Sequence, residues 1–161
     1  MRNAARVYCS PATKGNRKQI VRFGGRTALV SSARDKRAER ELIRLLAAHA
    51  PEDPLDGPLR LELVIYHAVP RSWPGWRRRA AKAGVVRPSG NGTPDCGNVL
   101  KLVEDALEAA EWITDDARTV SYSIESLYAQ DPGYFVVVET RDGCHGPKAP
   151  RSEVEAHAPA R

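Results

Sequence analysis

At 161 residues, 42% of them hydrophobic and 28% charged, the chain can bury a core without staples and is too apolar to be disordered throughout. No run of about 18 apolar residues marks a membrane span, the N-terminus lacks the apolar centre of a signal peptide, and Cys9, Cys96 and Cys144 form neither a disulfide framework nor a CxxC zinc site. One cytoplasmic domain with reduced thiols is expected, and its net charge of +5 suits an anionic partner.

In chain order, Arg6–Ser10 and Gln19–Phe23 are short β-prone pieces separated by "PATKGNRK", where Pro11, Gly15 and Asn16 mark a loop. A helix is predicted from about Ser32 to Ala48, with Leu42, Leu45 and Leu46 on one face and Arg37, Arg40, Glu41 and Arg44 largely on the other. Prolines in "PEDPLDGP" end it. Leu59, Leu61, Leu63 and Ile65 then alternate with Arg60 and Glu62, the signature of a strand with one buried face. "PRSWPGWRRRAAKAGVVRPSGNGT" reads as a long loop with one short helix around Arg77–Ala83, and a connection of that length is usually functional or mobile.

In "NVLKLVEDALEAAEW", Val99, Val103, Ala106, Leu107 and Ala110 make the stripe of an amphipathic helix, while Lys101, Glu104, Asp105 and Glu108 lie off it. "RTVSYSIESLY" and "YFVVVET" are two strands, and Asp131, Pro132 and Gly133 between them are a hairpin signal. Together these predict a single α+β domain over residues 1–141, a mixed or antiparallel sheet with flanking helices, followed by a Pro-, Gly- and Ala-rich tail over 142–161 that is expected to be disordered.

The charge is unevenly spread. From Met1 to Arg34 there are eight basic residues and no acid, Lys14, Arg17 and Lys18 among them. From Arg71 to Pro94 there are six more and again no acid: Arg71, Arg77, Arg78, Arg79, Lys82 and Arg87, interleaved with Trp73 and Trp76. Such runs suit nucleic-acid phosphates, with the tryptophans available for stacking on bases or for packing within the protein. A merely solvated basic surface accounts for each run equally well.

Asp95 precedes the third predicted helix, and Asp115 and Asp116 follow it. If the chain folds back so that these carboxylates converge, their repulsion calls for a cation, and an oxygen-only donor set favours Mg²⁺ or Mn²⁺ over zinc. The alternatives are structural: Asp95 as a helix cap, Asp115 and Asp116 as turn residues, Lys101 paired with Asp105 one turn on.

"TPDCGNVLKLVEDALEAAEWITDDARTV" resembles the RusA family of Holliday junction resolvases. Pro94, Asp95, Asn98, Lys101, Asp105, Ala106, Leu107, Trp112, Asp115 and Asp116 all fall in the family's order without a gap. Weaker similarity reaches outward through "SPATKGNRK" and the basic loop of phage-type members, so the resemblance covers about Arg6–Glu139. It implies a RusA-like fold and a homodimeric, Mg²⁺-dependent endodeoxyribonuclease acting on branched double-stranded DNA in recombination or repair. By that resemblance Asp95 and Asp116 hold the metal, Asp115 is an outer ligand, and Lys101 is catalytic. Lys14, Arg17, Lys18, Arg71, Trp73, Arg77, Arg78, Arg79 and Lys82 would face DNA.

The chain departs from the pattern at Gly97, where the family has a second metal-binding aspartate, and at Ser126, near where many relatives carry a basic residue. Gly97 leaves two readings open: a nuclease that manages with the remaining acids, or a module that binds junctions without cutting them. A basic RNA-binding domain is a third.

Overall fold

The computed structural model describes residues 1–12, 19–23, 26–30, 33–89 and 93–141. Its elements are β1 (Arg2–Val7), β2 (Gln19–Phe23), β3 (Arg26–Val30), α1 (Ala33–Ala47), β4 (Leu59–Ala68), α2 (Gly75–Lys82), α3 (Cys96–Ala109), a 3₁₀ turn (Asp116–Arg118), β5 (Thr119–Ala129) and β6 (Gly133–Thr140). The expected disordered tail lies outside the described residues.

The alternation of β4 decides the architecture. Leu59, Leu61, Leu63 and Ile65 are all buried, and so apolar a face favours a central position, where both neighbours shield it. A four-stranded sheet results in the order β1-β6-β4-β5, with β5 parallel to β4 and the other pairings antiparallel. The fold is thus α+β with a mixed sheet. β2 and β3 form a separate antiparallel pair.

On α3 the predicted stripe is buried as read, Val99, Val103, Ala106, Leu107 and Ala110 being joined by Leu102. This stripe shares one core cluster with Leu42 and Leu46 of α1 and the inward leucines of β4. Trp112, just past α3, is fully buried, and its indole N–H donates to the Leu46 carbonyl at 2.8 Å. It thereby ties the end of α1 to the turn after α3, and a buried indole without such a partner would be costly. Leu55 and Ile113 form a parallel bridge in the same layer, which fixes where the chain turns toward Asp115.

Two expectations fail, each for a local reason. β5 and β6 do not form a hairpin, because β4 lies between them. Gln130, Asp131 and Pro132 instead carry the chain across the end of β4, a step of about 10 Å between strands two places apart. β5, with Ser121, Ser123 and Glu125 along it, suits the edge it occupies. Gly133 is needed for another purpose than a hairpin turn: a Cβ there would lie 2.1 Å from the carbonyl oxygen of Val7 in β1. β1 covers Arg2–Val7 and not Arg6–Ser10, since its partner β6 begins at Gly133 and pairing stops at Val7 opposite Tyr134. Arg26–Val30, which no predicted element covered, is also a strand. Phe23 pairs with Arg26 across Gly24-Gly25, a two-residue hairpin sequence.

Candidate active site and nucleic-acid interface

α3 begins where sequence reasoning placed it because Asp95 caps it. The Asp95 carboxylate accepts from the Gly97 amide at 3.2 Å and from the Asn98 side-chain amide at 3.2 Å. Asp115 plays the same part for the 3₁₀ turn, accepting from the Ala117 amide at 2.9 Å. Both acids therefore have structural roles, and each is exposed and keeps lone pairs for other partners.

Two contacts show how α3 lies along β5. Cys96 Sγ is 3.5 Å from Ser126 Oγ, and Tyr122 Oη donates to Glu104 Oε1 at 2.8 Å. Advancing along α3 therefore means going back along β5, so the last turn of the helix points toward the start of that strand. Asp116 stands in the 3₁₀ turn just before β5. Its charge reaches both Glu104 and Tyr122. Asp95 stands nine residues before Glu104, about 13 Å of helix rise away.

Glu104 sits at the centre of this group. Partial burial pushes its carboxyl above the ordinary value, with Asp116 adding to the rise, while the Tyr122 hydrogen bond and the Lys101 ammonium work against it. The Tyr122 hydroxyl is pushed up to about 12, first by desolvation and then by its bond to Glu104. Sequence reasoning missed both residues. Glu104 was legible as one turn past Lys101, but Tyr122 needed the pairing of strand and helix.

Lys101 is exposed, as a residue that meets a phosphate must be. The candidate donors are all carboxylates, which suits a hard divalent ion. The rise that Asp116 imposes on Glu104 is a repulsion that such an ion would relieve. In number they are fewer than a complete cage, since among the described residues no three His, Cys, Asp or Glu side chains stand close enough to hold one ion. Magnesium is commonly held by one or two carboxylates, with water and substrate phosphate completing its shell.

The Cys9 thiol offers no rival chemistry. Cys9 is pushed up to about 11, by burial first and by Glu41 second, so it stays a neutral thiol at physiological pH.

The basic loop sits at the far end of the sheet. β4 and β5 finish side by side at Ala68 and Ala129, and α2 with the residues before it encloses a cavity of about 550 Å³ against that end. Ala68, Val69, Gly75, Ala129, Gln130 and Pro132 line it together with Arg71, Arg78, Arg79 and Lys82, and among the described residues no acid does. All four cations are exposed.

Trp73 is half-buried, edge-on to Tyr128 at 5.2 Å, with the Arg77 guanidinium 3.9 Å over its ring. That cation–π stack gives Trp73 a packing role and leaves Trp76, 64% exposed, as the open aromatic of the loop. Arg87 is engaged with Glu125 at 2.7 Å. Lys14, Arg17 and Lys18 lie outside the described residues.

Residues 9–139 match the family model described as "Endodeoxyribonuclease RusA". The chain is also 26% identical over 134 residues to the "Uncharacterized protein YqaN" of Bacillus subtilis (strain 168), an alignment covering 82% of this chain and 92% of that protein. No helix among the described residues is long and apolar enough to cross a membrane. With Asp95, Lys101 and Asp116 inside the matched span, the chain belongs to the RusA endodeoxyribonuclease family, whose members resolve branched DNA junctions and generally depend on a divalent metal.

Proposed function

We propose that this protein is a Mg²⁺-dependent, homodimeric endodeoxyribonuclease that places paired nicks in four-way DNA junctions during recombination or repair, with Mn²⁺ able to replace Mg²⁺. The observation that carries the reading is the family match over residues 9–139, a span that includes Asp95, Lys101 and Asp116. Asp95 and Asp116, which stand at different levels of α3, would each meet a divalent ion whose shell water and substrate phosphate complete, with Asp115 as an outer ligand. The bound ion would lower the pKa of a water and polarise the phosphate.

The chain's own residues do the rest. The cap bonds from Gly97 and Asn98 hold the Asp95 carboxylate in one orientation. The Tyr122–Glu104 bond clasps α3 to β5 and holds Glu104, on which the charges of Lys101 and Asp116 both act. Lys101 offsets the charge that builds on the phosphate oxygens as the bond breaks. Arg71, Arg77, Arg78, Arg79 and Lys82, with Lys14, Arg17 and Lys18, track the DNA backbone, and contacts of that kind position DNA without reading its sequence.

A second reading is favoured by Gly97 and by the absence of a three-acid group among the described residues: the protein binds junctions and does not cut them. One experiment separates the two. A synthetic four-way junction is incubated with Mg²⁺ or Mn²⁺ beside a chelated control, Asp116→Asn and Gly97→Asp. Metal-dependent paired nicks that disappear in Asp116→Asn establish the nuclease. A band shift without nicks, converted to nicking by Gly97→Asp, establishes the binding module. Sedimentation of the free protein as a monomer would remove the dimer.

A further inference from the structure

We infer that the cavity beneath α2 is a nucleotide seat: at a branch point it takes one nucleotide turned out of the helix, its phosphate among the cations and its base against the aliphatic wall. The inference rests on the DNA-binding reading above and adds what that surface recognises.

Charge is the first argument. Arg78 and Arg79 are adjacent on α2, and Lys82 lies one turn beyond them, so three cations crowd one helix that has no acid in its first turn. With Arg71 they surround a cavity that no acid among the described residues lines. Such a cluster is self-repulsive until an anion joins it, and arginine forks match phosphate oxygens.

Size and lining argue further. About 550 Å³ falls within the roughly 300–1,000 Å³ of sites built for small organic molecules, well beyond what a phosphate group fills. Val69, Ala129 and Pro132 give the cavity an apolar side, which a backbone-tracking surface does not need and a base does. Gln130 Oε1 accepts from Lys82 Nζ at 3.5 Å, which leaves its amide N–H₂ as a donor for the edge of a base. A duplex passing over this end would leave the cavity unfilled. Turning out a nucleotide costs least where pairing is already interrupted, as it is where four arms meet.

Position supplies the third argument. Asp95 is level with Ser126 through the Cys96 contact, and the cavity begins three residues later at Ala129. That is about 10 Å along the strand, or about three nucleotide steps at 3.4 Å each. A nucleotide held there would fix the register of the strand presented to Asp95 and Lys101.

The test places 2-aminopurine at successive positions around the centre of a four-way junction, in chelator so that no cleavage is required. Among the described residues no aromatic lines the cavity, so a base seated there is unstacked and bright. The expected result is a severalfold rise in fluorescence on protein binding at one position, and none at its neighbours. Arg79→Ala with Lys82→Ala should abolish it by removing the charge. Val69→Trp should abolish it by filling the space, while a band shift persists. A junction that binds with no position brightening overturns the seat, as does brightening that survives Val69→Trp.

Should no junction bind at all, the proposed function fails, and the seat is judged by free ligands alone. Deoxyadenosine monophosphate should shift the methyl resonances of Val69 and Ala129 in nuclear magnetic resonance spectra, and inorganic phosphate should not. Equal shifts from phosphate, or no shifts from either ligand, overturn the inference.

Discussion

Replacing Gly97 by aspartate asks whether the start of α3 is where the ion sits. A Cβ on Gly97 would lie 3.8 and 3.9 Å from the two carboxylate oxygens of Asp95, ordinary contact that displaces nothing. Removing a helical glycine gains about 0.5 kcal/mol, and a carboxylate in the first helical turn gains about 0.3–1 kcal/mol. Against this, two carboxylates about 5 Å apart at a solvated surface repel by about 1–2 kcal/mol. Without metal the terms nearly cancel, and Gly97→Asp should melt within about 3 °C of wild type. With metal the balance changes, because the added carboxylate turns from a repelling neighbour into a ligand. A tenfold gain in affinity is worth about 1.4 kcal/mol, seen as extra stabilisation by millimolar Mg²⁺. Calorimetric melting with and without Mg²⁺, alongside junction cleavage, measures both effects. Equal melting shifts with and without metal, together with unchanged nicking, would refute a metal role for the Asp95 end of the helix.

Four further outcomes are expected. Tyr122→Phe removes the donor from Glu104 Oε1, which should cost about 1 kcal/mol and slow cleavage. Glu104→Gln keeps an acceptor for Tyr122, so it should retain most of the rate that Glu104→Ala loses; equal loss in both would mean that the charge matters and the clasp does not. Gly133→Ala forces a Cβ to within 2.1 Å of a backbone oxygen in β1, and since neither strand can yield by rotating a side chain it should cost about 3 kcal/mol or more, read as a fall in melting temperature. His67 is buried, its Nε2 has no hydrogen-bond partner, and burial lowers it from the ordinary value of 6.5. Below that value the unfolded chain takes up a proton that the folded one refuses, so stability is full above it and declines as pH falls toward the folded value. Urea melts at pH 8 and pH 5 should show this decline reduced in His67→Leu.

Periodicity made α3 and β4 legible, because a helical stripe and a strict alternation each report directly which face is buried. The helix cap was legible too, since an Asp before an apolar stripe is a local signal. Strand order was not. Asp131, Pro132 and Gly133 look the same in sequence whether they turn a hairpin or carry the chain over a neighbouring strand, and only the competition for the centre of the sheet, won by Leu59–Ile65, decides. The Glu104–Tyr122 clasp was hidden for the same reason: its partners come from elements whose alignment the pairing sets. Trp112, legible as a motif residue, proved to be a core anchor whose place in the motif follows from holding the turn before Asp115.

Asp95 as cap and Asp95 as ligand are compatible, and the helix explains why. The N-terminus of α3 carries a partial positive charge that by itself repels a cation and attracts a phosphate. Asp95 reverses the sign locally, and because its oxygens are already held by Gly97 and Asn98 it offers a carboxylate whose orientation needs no further ordering. Lys101, one to two turns on, restores positive charge on the exposed side of the helix. Along that side the field therefore alternates, with acid at the cap, cation at Lys101 and acid again where Glu104 meets Asp116. A phosphodiester flanked by a divalent ion would find a complementary partner at each step, which a uniformly acidic or basic surface could not provide. In this chain Gly97 weakens the first acidic step and leaves the second intact, so the cleavage it supports should depend more steeply on metal concentration than that of Gly97→Asp.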